Sequence, residues 1–310
     1  MIIDFCDLLR EADEDPPLSR GGDMHRQGET IKKARRIDWN QLWKEDYADQ
    51  PMKDDVDFWN DFAPRFRKKL REDEDPYVSI FYEYSGFRPG ETIFDMGCAS
   101  GTLAIPYALK GHEIWAADFS EEMLKYLMIG AEEAGVADMI HPVRLDWNED
   151  WSLRKDLPVC DVAISSRSFI AWDLSQAIRN LELVARRKVC IGAWDVPARG
   201  YDRVVGRAIG YERPGYGCYV YIINELIDRD LQPEMRFIKS PFRLSKYESY
   251  EKAVEAQEAS FQYGLTDQQR QKLYDYCRDH LKSYQGDGQQ YWKFDHTDMS
   301  TIAHISWEIR

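Results

Sequence analysis

Between residues 91 and 194, short apolar runs of strand length alternate with stretches of helical spacing. This rhythm constrains the fold more than any other feature of the 310-residue chain. The runs are Thr92–Met96, Glu113–Ala117, Ile140–Leu145, Val159–Ser165 and Lys188–Trp194, with helices expected at about 102–110, 120–134 and 174–186. Several runs are apolar on both faces, as strands are when helices cover both sides of a sheet. Strand and helix in turn predict parallel βαβ units and an α/β, doubly wound sheet.

Outside this block the pattern changes. Residues 1–90 read as a polar prelude followed by an N-terminal helical extension or cap. Trp39, Leu42 and Trp43, then Phe58, Trp59, Phe62 and Phe66, recur at helical spacing. Pro64 is expected to bend or end one helix, and a further helix at about Tyr77–Ser85 stops at Gly86. Residues 91–310 read as the main domain, interrupted at about 198–244 by a Gly/Tyr/Arg-rich insertion, a lid after the fifth strand. Within it a helix is expected near Tyr219–Arg229 and a strand at Met235–Leu244. A helix pair (about 246–261 and 266–283) follows, and the alternation in Thr301–Glu308 predicts a last strand on the edge of the sheet.

Charge and cysteine usage narrow the partners. With 55 acidic residues against 41 Lys and Arg, the formal net charge is −14, which argues against a general nucleic-acid binder. No apolar run approaches the ~20 residues that span a bilayer. The opening MIIDFCDLLREADEDPP lacks the basic and apolar regions of a signal peptide. Cys6, Cys98, Cys160, Cys190, Cys218 and Cys277 are dispersed with no C-x-x-C pair, which suggests reduced thiols in a cytoplasmic protein. The histidines are dispersed as well, so no metal site is expected.

The segment IFDMGCASGT, residues 93–102, carries the chemistry. A strand runs into small residues and then a helix, so Gly97 and Gly101 let the backbone approach a ligand beside free helix N–H donors. Tight strand–helix packing produces the same G-x-x-x-G pattern. Asp118, seventeen residues after Gly101, adds a carboxylate at the end of the next strand, able to accept from both hydroxyls of an adenosine ribose. The glycine spacing is not the G-x-G-x-x-G of a dinucleotide site, and an anionic Asp95 would repel phosphate but attract a cation.

DMGCASG, AADFSEEML, RLDW and CDVAISS, in this order and spacing, resemble the class I S-adenosylmethionine-dependent methyltransferases of small-molecule type, over residues 91–197. The resemblance implies a Rossmann-like, mostly parallel seven-stranded sheet, S-adenosyl-L-methionine as cofactor, and in-line methyl transfer to a small-molecule acceptor. It also implies that Gly97, Ala99 and Gly101 pass beneath the methionyl part, with Asp95 close by. Asp118 would bind the ribose, Phe119 and Met123 would flank the adenine, and Asp146 would take its amino group with Trp147 alongside. Ser165, at the end of the fourth strand, completes the cofactor candidates. Ala99 replaces the family's middle glycine, a change tolerable if its φ stays negative. Plain structural readings stand beside these: strand-end caps for Asp118 and Asp146, and core packing for Met123 and Cys98. FWNDFAPRFRKKL is similar to the aromatic helix that many small-molecule methyltransferases fold over the cofactor.

Methyl transfer from a sulfonium needs alignment and desolvation more than catalytic side chains, so no catalytic residue is assigned. The acceptor-site candidates are Arg167, Trp172 and Asp173 after the fourth strand, Trp194 (followed by Asp195) after the fifth, and Tyr201 and Tyr216 in the insertion. Arg167 suits an acceptor carboxylate or phosphate, or a salt bridge to Asp173 or Asp195. Arg199, Arg203 and Arg207 are four apart and would share one helix face. They suit an aromatic or anionic acceptor under a lid, or simply a solvated face. SSRSF lacks the D/N-P-P-Y/F motif of base and glutamine methylation. The alternatives are a tRNA or protein methyltransferase, a cofactor-binding domain without turnover and, more distantly, an NAD-dependent oxidoreductase.

Overall fold

Nine strands are found among the described residues; seven match strands expected from the sequence, and a hairpin within residues 281–294 was not expected. The computed structural model describes residues 37–48, 56–72, 76–194, 201–212, 216–241, 246–261, 264–286, 289–296 and 299–309. The strands are β1 (Ile93–Met96), β2 (Ile114–Asp118), β3 (Ile140–Arg144), β4 (Cys160–Ser166), β5 (Ala185–Trp194), β6 (Glu234–Pro241), β7 (Leu281–Gly286), β8 (Gln289–Phe294) and β9 (Met299–Glu308). The helices of three residues or fewer aside, the helices are α1 (Trp39–Ala48), α2 (Val56–Glu72), α3 (Pro76–Ser85), α4 (Ala104–Ala108), α5 (Glu121–Ala134), α6 (Leu174–Leu183), α7 (Arg203–Ile209), α8 (Cys218–Asp228), α9 (Tyr250–Ser260) and α10 (Asp267–His280).

Seven strands form one sheet in the order β3-β2-β1-β4-β5-β9-β6. The first five run parallel, and β9 lies antiparallel to both β5 and β6. This is the Rossmann-like, mostly parallel seven-stranded sheet that the resemblance implies. One position differs from expectation: β9 is interior, and β6 holds the edge. The polar side chains His304 and Ser306, two residues apart on one face of β9, are buried. Helix α3 covers that face; the Ser85 hydroxyl lies 3.1 Å from His304 Nε2, and the Phe81 ring packs edge-on against the imidazole. Burial holds His304 neutral, its pKa pushed down to about 3.

Both faces of the sheet are covered. On one, α1, α6 and α8 bury Trp43, Ile178 and Ile222 against Phe94, Ile191 and Trp307. On the other, α3, α4 and α5 bury Phe81, Tyr107 and Leu127 against Ile93, Ile114 and Ile164. Helices α1 and α3, from the expected N-terminal extension, thus pack against the sheet. Helix α2 runs through Pro64 instead of ending there.

The expected lid also divides differently. Helix α8 packs on the sheet and β6 belongs to it, whereas α7 joins α9, α10 and the β7–β8 hairpin around Val205, Ile209, Leu273, Cys277 and Phe294. The hairpin was expected as helix up to residue 283. Its sequence signal is the Asp287–Gly288 pair between Tyr284 and Tyr291, a turn dipeptide flanked by aromatic residues. Among the described residues no helix is long and apolar enough to cross a membrane.

Candidate functional site

Strand order reverses between β1 and β4, and in such sheets ligands bind beyond the carboxyl ends of the strands at that reversal. The turn leaving β1 has left-handed backbone at alternate residues: φ is 76° at Gly97, 47° at Ala99 and 93° at Gly101. At Gly97 a Cβ would stand 2.3 Å from Ser168 Cβ, so only glycine fits. Ala99 departs from the expectation of a negative φ; its methyl group costs roughly 1–2 kcal/mol in this region. Asp118 holds it there, since Oδ2 accepts the Ala99 N–H at 2.9 Å while Oδ1 accepts the Ser120 N–H at 3.0 Å.

Asp118 thus shapes the turn and still has acceptor capacity, because two backbone bonds use about half of a carboxylate's lone-pair positions. Burial raises its pKa to about 6 in spite of those bonds. Asp95 is more isolated. It is 2% exposed, and its Oδ2 has no hydrogen-bond partner among the described residues. Burial first, and then the nearby Asp118, push its pKa up to about 7. The same causes, burial and then Asp118 and Asp95, raise the Cys98 thiol well above its usual range, so it is a packing group and no thiolate nucleophile.

The other cofactor candidates lie between β2 and the first turn of α5, in β4 and just after β3. Ser120 caps α5 by accepting the Met123 N–H at 3.1 Å, and it donates its hydroxyl to Asn60 Oδ1 on α2 at 2.7 Å. Met123 is buried and Phe119 half-buried. Ser165 is buried with its hydroxyl 3.0 Å from that of Ser168, which donates to the Met96 carbonyl at 2.9 Å. Asp146, half-buried, accepts the Asn148 N–H at 2.8 Å in a tight turn. Trp147 is buried, donating to the Ser168 carbonyl at 2.9 Å and packing against Phe169 and Trp151.

The acceptor candidates separate. Arg167 and Trp194 lie at the carboxyl ends of β4 and β5, where the Arg167 N–H bonds the Gly192 carbonyl at 2.8 Å. The Arg167 guanidinium sits 4.2 Å from the centre of the Tyr77 ring. Asp173 is otherwise engaged: it caps α6 through the Gln176 N–H at 2.7 Å and meets Lys44 Nζ of α1 at 2.6 Å. Burial raises its pKa, but bonds from Lys44, Gln176 and Asn40 outweigh this and hold it below the usual value. Trp172 is exposed. Tyr201 stacks on Phe261 in the cluster around α7, and Tyr216 lies exposed, edge-on to Tyr221. Arg203 and Arg207 are on α7, while Asp195 and Arg199 lie outside the described residues.

Sequence reasoning missed Tyr77 and Asn60. Tyr77 is fully buried, with its hydroxyl 2.7 Å from that of Ser166. Only the helical spacing of Tyr77 and Phe81 signalled it. Among the described residues no group of three or more His, Cys, Asp or Glu could hold a metal ion.

No family model matches the chain. An uncharacterized protein of Haemophilus influenzae is 29% identical over 203 residues, covering 65% of this chain and 74% of that protein. Among solved structures, the chain is similar to the YcgJ protein of Bacillus subtilis, at 13% identity over 75% of this chain and 97% of that one, with a TM-score of 0.46. It is also similar to magnesium protoporphyrin IX methyltransferase of Synechocystis PCC 6803, at 19% identity over 57% and 78% of the two chains, with a TM-score of 0.40.

Proposed function

We propose that the chain is a class I S-adenosylmethionine-dependent methyltransferase acting on a small-molecule acceptor, aromatic or anionic. One observation carries the reading: two buried carboxylates, Asp95 and Asp118, flank a left-handed Gly–Ala–Gly turn where the strand order reverses. Burial disfavours both charges, so the site suits a ligand that brings positive charge of its own. A pyrophosphate would instead meet two acids, which counts against a dinucleotide.

S-adenosyl-L-methionine, when bound, supplies an activated methyl group on a sulfonium. Asp118 would accept from its ribose hydroxyls, and the unpartnered oxygen of Asp95 would stand by its cationic end. Phe119, Met123 and Asp146 would line the adenine side. Helix α2 fits a covering role, because Asn60 already bonds the cap residue Ser120 beside Asp118. The chain's own contribution to the reaction is alignment and the exclusion of water. The free thiols of Cys98, Cys160, Cys190, Cys218 and Cys277 fit a reducing, cytoplasmic setting.

Isothermal titration with S-adenosylmethionine, S-adenosylhomocysteine and NAD tests the reading. Both sulfur ligands are expected to bind and NAD to give no heat. Binding of NAD with neither sulfur ligand would overturn it, and sulfur-ligand binding without turnover on any acceptor would leave a cofactor-binding domain.

A further inference from the structure

We propose that Asp95 tells the sulfonium cofactor from its spent, neutral product; this deepens the methyltransferase reading and rests on it. Asp95 holds a proton while no cation is bound, yields it to solvent when a sulfonium arrives, and takes one back once the methyl group has left. Two carboxylates are buried on neighbouring strands here, Asp95 at 2% and Asp118 at 6% exposure. They differ in what meets them. The oxygens of Asp118 accept the Ala99 N–H at 2.9 Å and the Ser120 N–H at 3.0 Å, bonds that favour its charged form. Asp95 Oδ2 has no partner among the described residues, and its neighbours in register, Ala116 on β2 and Ile164 on β4, are apolar.

Carboxylates that share a buried site ionise one at a time. Hydrogen bonding assigns the first charge to Asp118 and leaves the proton with Asp95. The pKa of Asp95, raised by burial and then by Asp118 to about 7, stands above the value of about 6 that burial gives Asp118, in the same order. The other charged and titratable groups of this neighbourhood do not distinguish cofactor from product. Burial above all keeps the Cys98 thiol in the turn and the Tyr107 hydroxyl of α4 neutral. Arg167, 4.2 Å from the centre of the Tyr77 ring, acts on the same Tyr107 hydroxyl, and its permanent charge is equal for both ligands.

S-adenosylmethionine and S-adenosylhomocysteine share an ammonium and a carboxylate, which cancel, and they differ by the charge on sulfur. A sulfonium offsets the repulsion from Asp118 and supplies the counter-charge that burial denies to Asp95. The Asp95 proton then passes to solvent, and the carboxylate pairs with the cation. In the transfer the sulfur–methyl bond breaks and its electron pair stays on sulfur, which becomes a neutral thioether. Asp95, again without a cation, recovers a proton from solvent, and the product loses the ion pair that held the cofactor.

The test is isothermal titration of the full-length protein with each sulfur ligand, in two buffers of different ionisation enthalpy, which counts the protons released. At about pH 6, S-adenosylmethionine is expected to release about half a proton or more per site and S-adenosylhomocysteine about none. From about pH 5 to about pH 7, S-adenosylmethionine affinity should rise about tenfold or more, against less than about threefold for S-adenosylhomocysteine. Asp95→Asn, the neutral isostere of the protonated acid, should abolish the release and still bind S-adenosylhomocysteine, which also reports that the variant folds. No release with S-adenosylmethionine, equal release with both ligands, or release that persists in Asp95→Asn would each overturn the inference. Were the variant not to fold, the proton counts of the wild type alone decide. Failure of the wild type to bind either sulfur ligand would count instead against the methyltransferase reading itself.

Discussion

Asp118 and Asp173 sit at corresponding places in two strand-to-helix units, one just before α5 and the other just before α6, yet they serve opposite ends. Asp173 is well partnered: it caps its helix and accepts from Lys44, tying α1 to the start of α6. Its charge is held in place by cationic and backbone donors. Among the described residues Asp118 has only backbone donors, next to a second buried acid with an unpartnered oxygen. Its charge is disfavoured until something else arrives. A carboxylate with its own cation is architecture, and one buried without a cation is poised for a ligand.

Variants break this comparison in order of expected effect. Gly97→Ala should be the most severe, because the methyl group would press on Ser168 in a left-handed backbone. A loss of about 3 kcal/mol is expected, read as a fall in Tm together with lost S-adenosylhomocysteine binding. An unchanged Tm would mean that the loop after β4 yields easily.

Asp118→Ala should weaken cofactor binding by more than about tenfold, as expected for lost hydrogen bonds to a charged acceptor. Titration calorimetry measures it, and unchanged affinity in a folded variant would remove Asp118 from the site. The pH profile separates the two kinds of carboxylate most finely. Asp95 and Asp118 have raised pKa values, so the folded state holds their protons more tightly than the unfolded chain does. Stability of the ligand-free protein should therefore fall as pH rises from about 4 towards about 7, and Asp95→Asn should flatten that slope. Asp173 has the opposite sign: its contribution is present above the ordinary carboxylate pKa and is lost as pH falls through its depressed value. Asp173→Ala should cost about 1 kcal/mol at neutral pH, from the lost cap, with S-adenosylhomocysteine affinity unchanged. Thermal melts across pH distinguish the two signs.

Much of this was legible in the chain itself. The five parallel strands were readable because burial on both faces demands continuous apolar runs, and IFDM, IWAAD and CDVAISS supply them. The turn at Gly97 to Gly101 and the acid at Asp118 were readable because spacing along one βαβ unit is local. The interior place of β9 was not, because the cover over His304 comes from α3, more than two hundred residues away in sequence. The split of the insertion between the sheet and the cluster around α7 was equally hidden, since it depends on which apolar faces meet.

The sequence by itself determined the sheet, the turn and the acids at the strand ends, all set by local periodicity and by residues whose conformational needs are their own. Only the tertiary structure decided what each of these groups is paired with. It made Asp173 a cap bonded to Lys44, left one oxygen of Asp95 without a partner among the described residues, gave Ala99 a left-handed backbone and laid Arg167 on Tyr77. Pairing is a property of distance in space, and burial without pairing is what gives a carboxylate an affinity to spare.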